Sequence, residues 1–186
     1  MHEGVEPEAP KSKRYRLINP YYFCRVCDGK ENEKFWDEIY EYIESHYKLT
    51  KIKKIYLNAD GGGWIETGRK RIRGVSYVLD EYHLQKYLMR LTSHMKDSTA
   101  DAWKELKDAI KRGTKADFIE ITERLIDALP PEKTESGTRR IKESRDYILS
   151  NWGAARIRLL RKEGVIGSST EGHVSHVLSS RMSSRP

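Results

Sequence analysis

Two short apolar segments in the first half of the chain each end at an aspartate. In KIKKIYLNAD, apolar and β-branched residues indicate a buried strand that ends at Asp60, and three glycines follow at once. A second strand is predicted at residues 75–79 and ends at Asp80, after which a helical pattern runs from residue 81 to about 94. Strands that alternate with helices in this way predict an α/β fold class.

The segment before these strands is predicted to begin irregularly. Residues 1–18 hold two prolines and no apolar periodicity, which indicates an extended lead-in or linker. Residues 21–27 (YYFCRVC) are rich in aromatic and β-branched types and predict a strand. From residue 32 to 47, apolar side chains recur at steps of three and four, which predicts an amphipathic helix that Asn32 caps.

The second half of the chain has helical patterns only. No strand signal is present from residue 84 to 163, and a last helix is predicted after a break at VIGSST. Its apolar residues lie on one face at helical spacing. The helices predicted within the strand-free stretch cover residues 99–112, 114–129, 132–150 and 152–161.

The bulk composition is that of a folded protein without a membrane span. Hydrophobic residues make up 37% and charged residues 34%, and the chain has four Trp and eleven Tyr, which argues for a packed core. No apolar run approaches the roughly 18 residues of a spanning helix, and no signal peptide opens the sequence. With only two cysteines, a reducing compartment is the default, so we expect a cytoplasmic protein.

Positive charge is concentrated in two blocks. The formal net charge is +7; residues 48–90 carry ten basic against four acidic side chains, and residues 131–186 carry eleven against six. Lys and Arg neutralise phosphates and release counterions, so such blocks suit a polyanion such as DNA. The alternative is the solvated surface of an ordinary basic protein.

Both aspartates have a catalytic and a structural interpretation. Asp60 follows a strand and precedes glycines, where ligands gather in open α/β sheets, but Asp–Gly after a strand is also a common turn signal. Asp80 is placed to cap the following helix. His83, one turn into that helix, either faces the strand ends or packs as a core histidine.

Near the C-terminus, three further residues are candidates for a site. Glu171 begins the last helix, where a carboxylate also stabilises the helix dipole. His173 and His176 share a face, so a metal pair is conceivable, but no HExxH motif is present. Polar packing or DNA contact is the more ordinary role for these two histidines.

Cys24 and Cys27 form a CxxC pair that has no second pair to match it. A zinc-stabilised module would need two more ligands, such as His46 and His83. We interpret the cysteines as ordinary buried thiols.

Five segments together resemble the bacterial insertion-sequence transposases of the ISLre type. They occur in that family's order and span nearly the whole chain. The last is long and unusual in composition, which makes the resemblance specific. The segments are HEG at 2–4, FWDEIYEYIESHY at 35–47, IYLNADGGGWIETG at 55–68, YVLDEYHLQKYL at 77–88 and EGHVSHVLSSRMSSRP at 171–186.

The resemblance implies a ribonuclease-H-like core that cuts and joins DNA with three carboxylates and two divalent cations, Mg²⁺ or Mn²⁺, roughly 4 Å apart. Asp60 would be the second carboxylate and Glu171 the third, both of them metal ligands. The remaining matched residues would support the site or contact DNA: Asp80, His83, His173, His176 and Arg181. A helical insertion would separate the strands from the late Glu.

The family's first aspartate lies upstream of its HEG motif, which here begins at residue 2. The resemblance therefore implies a fragment truncated at both ends, inactive alone, from a parent that acts as a homo-oligomer on element ends and target DNA. The alternative is a non-catalytic DNA-binding remnant. The implied division is a lead-in at 1–18, a partial α/β core at 19–83, an all-α insertion at 84–163 and a late core helix at 164–186.

Overall fold

A computed structural model describes residues 1–25, 31–160 and 165. The described part is mixed α/β, as predicted. Its strands are β1 (Gly4–Pro7), β2 (Tyr15–Ile18), β3 (Ile55–Ala59) and β4 (Val75–Leu79). Its α-helices are α1 (Glu31–His46), α2 (Gly63–Arg71), α3 (Glu81–Thr92), α4 (Thr99–Arg112), α5 (Lys115–Asp127), α6 (Thr134–Ser150) and α7 (Trp152–Leu160).

The N-terminal segment is a β-hairpin, so the prediction of an extended lead-in at 1–18 is wrong. β1 and β2 pair antiparallel, with Gly4 opposite Ile18. One proline ends β1 and the other lies in the connecting turn, and at neither place does a proline interrupt the ladder. The turn needs a positive φ at Lys11 (67°). Lysine seldom adopts a positive φ, so the sequence does not predict a turn at this position.

The strand predicted at 21–27 is not formed over residues 21–25, and residues 26 and 27 lie outside the described part. Aromatic side chains that suit a strand instead pack on a helix here. The ring of Tyr21 stacks on that of Tyr42 in α1 at 4.1 Å, and Phe23 meets Tyr42 edge-on at 5.4 Å. In α1, Asn32 lies in the first turn of the helix rather than before it.

Strands β3 and β4 form a parallel pair that α2 connects. The strands pair in register from Ile55 opposite Val75 to Ala59 opposite Leu79. The sequence did not predict α2, whose nine residues are mostly polar or glycine and begin with glycine. The helix packs on α1, where Gly68 lies against the ring of Trp36 and lets the two helices approach closely.

Helices α3 to α7 share one core with the end of β4. All four helices predicted between residues 99 and 161 are present within one or two residues of their predicted ends. The buried cluster runs from Leu79 through the helices to Ala155, and the boundary predicted at residue 83 falls inside α3. The helical part is therefore packed onto the strands. None of the helices in the described ranges is long and apolar enough to cross a membrane.

Candidate functional site

The two strand-end aspartates lie at the same edge of the parallel pair. Asp60 directly follows Ala59, the last residue of β3, and Asp80 directly follows Leu79, its partner in β4. The amide of Asp80 donates a hydrogen bond to the main-chain oxygen of Ala59 at 2.8 Å. Because parallel strands end on the same side, Asp60 and Asp80 are neighbouring residues at the edge where ligands collect in open α/β sheets.

Asp60 is exposed, and its carboxylate accepts a hydrogen bond from the main chain of the turn that follows it. Its Oδ1 accepts a hydrogen bond from the amide of Gly62 at 3.0 Å, which closes a small turn. Gly61 in that turn has a φ of +87°, a conformation that favours glycine, and α2 begins at Gly63. The turn interpretation of Asp60 is thus correct as a description of structure, and the turn presents the carboxylate to solvent.

Asp80 has a different role, since its carboxylate is committed to α3. Its Oδ1 accepts a hydrogen bond from the amide of His83 at 3.2 Å and lies 3.2 Å from the His83 Nδ1 atom. The two side chains are only 14% and 20% exposed. The predicted helix cap is confirmed, and His83 takes the first of its two predicted roles, facing the strand end.

Residues at the junction between α6 and α7 contact the Asp60 turn and hold it in place. The Tyr147 hydroxyl donates a hydrogen bond to the main-chain oxygen of Asp60. Asn151 donates from Nδ2 to the main-chain oxygen of Tyr147 at 2.9 Å, and its Oδ1 accepts from the Tyr77 hydroxyl at 3.0 Å. We call Tyr77, Tyr147 and Asn151 the clasp.

The clasp hydroxyls are held in the protonated, donating form. Burial raises the pKa of Tyr77 to about 12, with the nearby carboxylates of Asp60 and Asp80 adding to the rise and Arg69 opposing it. Burial is also the main cause that raises the pKa of Tyr147. Both phenols therefore remain hydrogen-bond donors throughout the neutral pH range.

A buried arginine joins the two strand ends. Arg158 of α7 is 4% exposed; its Nε donates to the main-chain oxygen of Leu79 at 2.9 Å, and its Nη2 donates to Oδ1 of Asn58. Its Nε lies 4.0 Å from a carboxylate oxygen of Glu81. Burial lowers the pKa of Arg158, and the acidic neighbours oppose that shift.

Comparison with known proteins identifies the family. The whole chain, residues 1–186, matches the Uncharacterised protein family (UPF0236). The chain belongs to this family. It is 40% identical to the UPF0236 proteins TTE0402 and TTE2489 of Caldanaerobacter subterraneus subsp. tengcongensis, over 100% of this chain and 35% and 37% of theirs. The chain thus spans about a third of the length of these relatives.

Another UPF0236 protein of the same organism is 39% identical over all 186 residues and 37% of its own length. Its name joins eleven locus designations. No solved structure matches the chain.

Of the two aspartates that follow β3 and β4, Asp60 is the exposed one. Asp60 offers oxygen atoms, the ligands that Mg²⁺ and Mn²⁺ prefer, whereas the carboxylate of Asp80 is engaged with α3. Among residues 1–25, 31–160 and 165, no three His, Cys, Asp or Glu side chains gather closely enough to hold an ion. The other predicted site residues lie outside the described part: Glu171, His173, His176 and Arg181.

The cysteines do not form a site within the described residues. Cys24 is exposed, which contradicts the prediction of a buried thiol, and Cys27 lies outside the described part. Of the two histidines considered as zinc partners, His46 stacks on Tyr42 at 3.8 Å and His83 is engaged with Asp80.

The sequence interpretation missed the residues that support the Asp60 turn. Tyr147 and Arg158 lie in helices that were predicted correctly, Tyr77 lies in the predicted strand β4, and Asn151 lies between α6 and α7. The contacts of Tyr147 and Arg158 with the strand ends join residues that are far apart along the chain. One local signal was present: Arg158 stands among apolar residues in ARIRLL, where a charge on a packed helix calls for a buried partner.

Proposed function

We propose that this UPF0236 chain is part of the catalytic domain of a DDE-type transposase with an incomplete ribonuclease-H-like core. The full-length protein would act in the cytoplasm as a homo-oligomer on insertion-sequence ends and target DNA. The observation that carries the proposal is the exposed Asp60 carboxylate at the carboxyl edge of a parallel strand pair, on a turn that other residues hold in place.

Asp60 is suited to hold a Mg²⁺ or Mn²⁺ ion. Its carboxylate is exposed and has a main-chain amide as its hydrogen-bond partner, so it keeps oxygen lone pairs for a cation. In our proposal Glu171 supplies a second carboxylate ligand, as the family resemblance implies. The bound ions would activate the attacking oxygen and stabilise the leaving oxygen of the DNA strand.

The other residues at the edge hold the ligand and leave room for the substrate. Asp80 and His83 fix the start of α3, which keeps the end of β4 in position beside Asp60. The glycines after Asp60 have no side chains to obstruct a DNA backbone that approaches the carboxylate. We assign His173, His176 and Arg181 to support of the site or DNA contact, by resemblance alone.

A cationic stripe on α3 leads away from this edge. Residues 82–96 contain no acidic side chain. Tyr82 is 57% exposed, the Lys86 ammonium lies over its ring at 5.8 Å, and the Arg90 guanidinium lies over Tyr87 at 5.1 Å. We call Tyr82, Lys86 and Arg90 the α3 stripe. Cations and an aromatic ring beside a strand-end carboxylate suit the phosphates and bases of DNA.

The relatives add support of another kind. One relative's name joins eleven locus designations. A sequence that copies itself to new positions produces this pattern, whereas a housekeeping enzyme usually needs one or two genes. The multiplicity supports a mobile element and is independent of the geometry of the Asp60 edge.

The test uses the full-length protein that contains this segment and a supercoiled plasmid that carries its gene with the flanking DNA. With Mg²⁺ or Mn²⁺, we expect strand cleavage at the flanks by the wild type and none by Asp60→Asn. Asp127→Asn, an exposed aspartate at the end of α5, is the matched control and should cleave normally. Equal cleavage by Asp60→Asn and the wild type would overturn the assignment.

The second candidate is a non-catalytic DNA-binding remnant. The α3 stripe favours this candidate, because the stripe could bind DNA without a metal ion. In the same experiment this candidate predicts that wild type and Asp60→Asn both retard DNA in gels and that neither cleaves it. Cleavage by the wild type alone rejects it.

A further inference from the structure

We propose that Tyr147 and Asn151 are positioning residues that set the direction in which the Asp60 carboxylate points. This inference rests on the proposed function, because it assigns them a role in presenting Asp60 to a divalent cation. They belong to the α6–α7 junction, on the side of the protein that the family resemblance treats as an insertion.

The contact falls on the backbone of the candidate ligand itself. The Tyr147 hydroxyl donates to the main-chain oxygen of Asp60, while the Asp60 carboxylate is fixed through the amide of Gly62 at 3.0 Å. The peptide between Asp60 and Gly61 is thus held at its oxygen, and the Asp60 carboxylate is held by the amide two residues later in the chain. Rotation of that peptide would turn the carboxylate away from its present direction.

Asn151 restrains the same turn by shape. A Cβ atom added to Gly61 would lie 2.9 Å from Oδ1 of Asn151, so the asparagine closes the space beside the turn. The asparagine is itself held on both sides, by the Tyr77 hydroxyl at 3.0 Å and by the main-chain oxygen of Tyr147 at 2.9 Å. The main-chain N–H of Asn151 also donates a hydrogen bond to the main-chain oxygen of Tyr147, and this second bond fixes the junction between α6 and α7.

The ring of Tyr147 is held in place by a second aromatic ring. Tyr87 of α3 stacks on it with ring centroids 3.8 Å apart. The phenol ring therefore keeps its place when the hydroxyl is removed, and Tyr147→Phe isolates the hydrogen bond to Asp60. A catalytic ligand has to be held within about half an ångström and 10–20° of its productive geometry, which is what such a support provides.

The experiment compares Tyr147→Phe with Tyr87→Phe in the full-length protein, since the second change removes a hydroxyl from the other ring of the same stack. Two quantities are measured: amide hydrogen exchange of residues 60–63, and the dissociation constant for Mn²⁺. In Tyr147→Phe we expect faster exchange of these amides and about tenfold weaker Mn²⁺ binding, the lower end of the effect of outer-shell residues on metal affinity. Tyr87→Phe should change neither quantity, and the melting temperature should stay close to that of the wild type.

The two readouts separate this inference from the proposed function. Unchanged exchange and unchanged Mn²⁺ affinity in Tyr147→Phe overturn the positioning role even if the wild type binds Mn²⁺ through Asp60. If the wild type does not bind Mn²⁺, or binds it as tightly as Asp60→Asn does, the proposed function fails, and with it the purpose assigned to the clasp. Should Tyr147→Phe not fold, Tyr77→Phe, which removes the hydroxyl that orients Asn151, gives the same expected pair of changes at smaller size.

Discussion

The Nε atom of Arg158 donates a 2.9 Å hydrogen bond to the main-chain oxygen of Leu79, a residue 79 positions earlier in the chain. The guanidinium is 4% exposed, and its Nη2 atom reaches the side chain of Asn58 at the end of β3. One side chain from the last described helix therefore ties together the ends of both parallel strands. This contact makes the helices part of the candidate site.

Arg158→Met should destabilise the protein strongly. The substitution keeps much of the apolar stem, but the main-chain oxygen of Leu79 and the Oδ1 atom of Asn58 both lose their charged hydrogen-bond donor. Because Arg158 is buried, this loss should cost about 2–3 kcal/mol. Urea unfolding gives the free energy difference. Arg140→Met, at an exposed position of α6, is the control and should stay within about 0.5 kcal/mol of the wild type. Equal stabilities of the two variants would show that the buried hydrogen bonds of Arg158 contribute little.

Two glycines inside helices should respond to alanine with opposite signs. At Gly68, an added Cβ would lie 2.6 Å from the ring of Trp36, so overpacking should cost about 1–3 kcal/mol. At Gly153 in α7, an added Cβ meets nothing within 4 Å, so Gly153→Ala should stabilise by about 0.5–1 kcal/mol through helix propensity. Thermal unfolding of the pair provides the measurement. A stabilised Gly68→Ala variant would contradict the close packing of α2 on α1.

Stability should fall at alkaline pH because of Tyr77. Its pKa is raised from 10.0 to about 12 in the folded protein, so the fold favours the neutral phenol. The contribution is complete below pH 10 and is lost as the pH rises from 10 through 12. Urea unfolding between pH 9 and 11.5 should show a smaller loss for Tyr77→Phe than for the wild type. Tyr15→Phe, whose ring is 62% exposed, is the control and should follow the wild type.

The α3 stripe should contribute to the salt dependence of DNA binding. If Lys86 and Arg90 each neutralise a phosphate, the double alanine variant should lower the slope of log K against log salt by about 2. The matched control is Lys104→Ala with Lys115→Ala, which removes the same charge from exposed positions on α4 and α5. Filter binding from 50 to 200 mM salt measures both. Identical slopes for the two double variants would remove the α3 stripe from the interface.

Local patterns predicted those elements whose stability has a local cause. The strand at Val75–Leu79 and the helix at Thr99–Arg112 were predicted with their observed bounds, because apolar periodicity and flanking signals agree there. The Asp80 cap followed from the residue type at a helix start. In each case the decisive contact lies within a few residues along the chain.

Elements that depend on distant contacts were missed. Helix α2 has a polar, glycine-containing sequence and is held by the contact of Gly68 with Trp36, 32 positions earlier in the sequence. Tertiary packing of this kind overrides weak helix propensity. The contact of Tyr147 with Asp60 was not predicted either, because nothing in the sequence around a tyrosine in a helix indicates which distant loop the tyrosine contacts.

The separation along the chain of these contacts has a consequence for the order of folding. Tyr147 lies 87 residues after Asp60, and Arg158 lies 100 residues after Asn58. At about 5–20 residues per second, synthesis of that interval takes roughly 5–20 s. The helices α4 and α5 can pair as soon as they are made, because their contacts are local. The Asp60 turn, by contrast, stays unsupported on the nascent chain until α6 and α7 have emerged, so the candidate site matures after the structure around it.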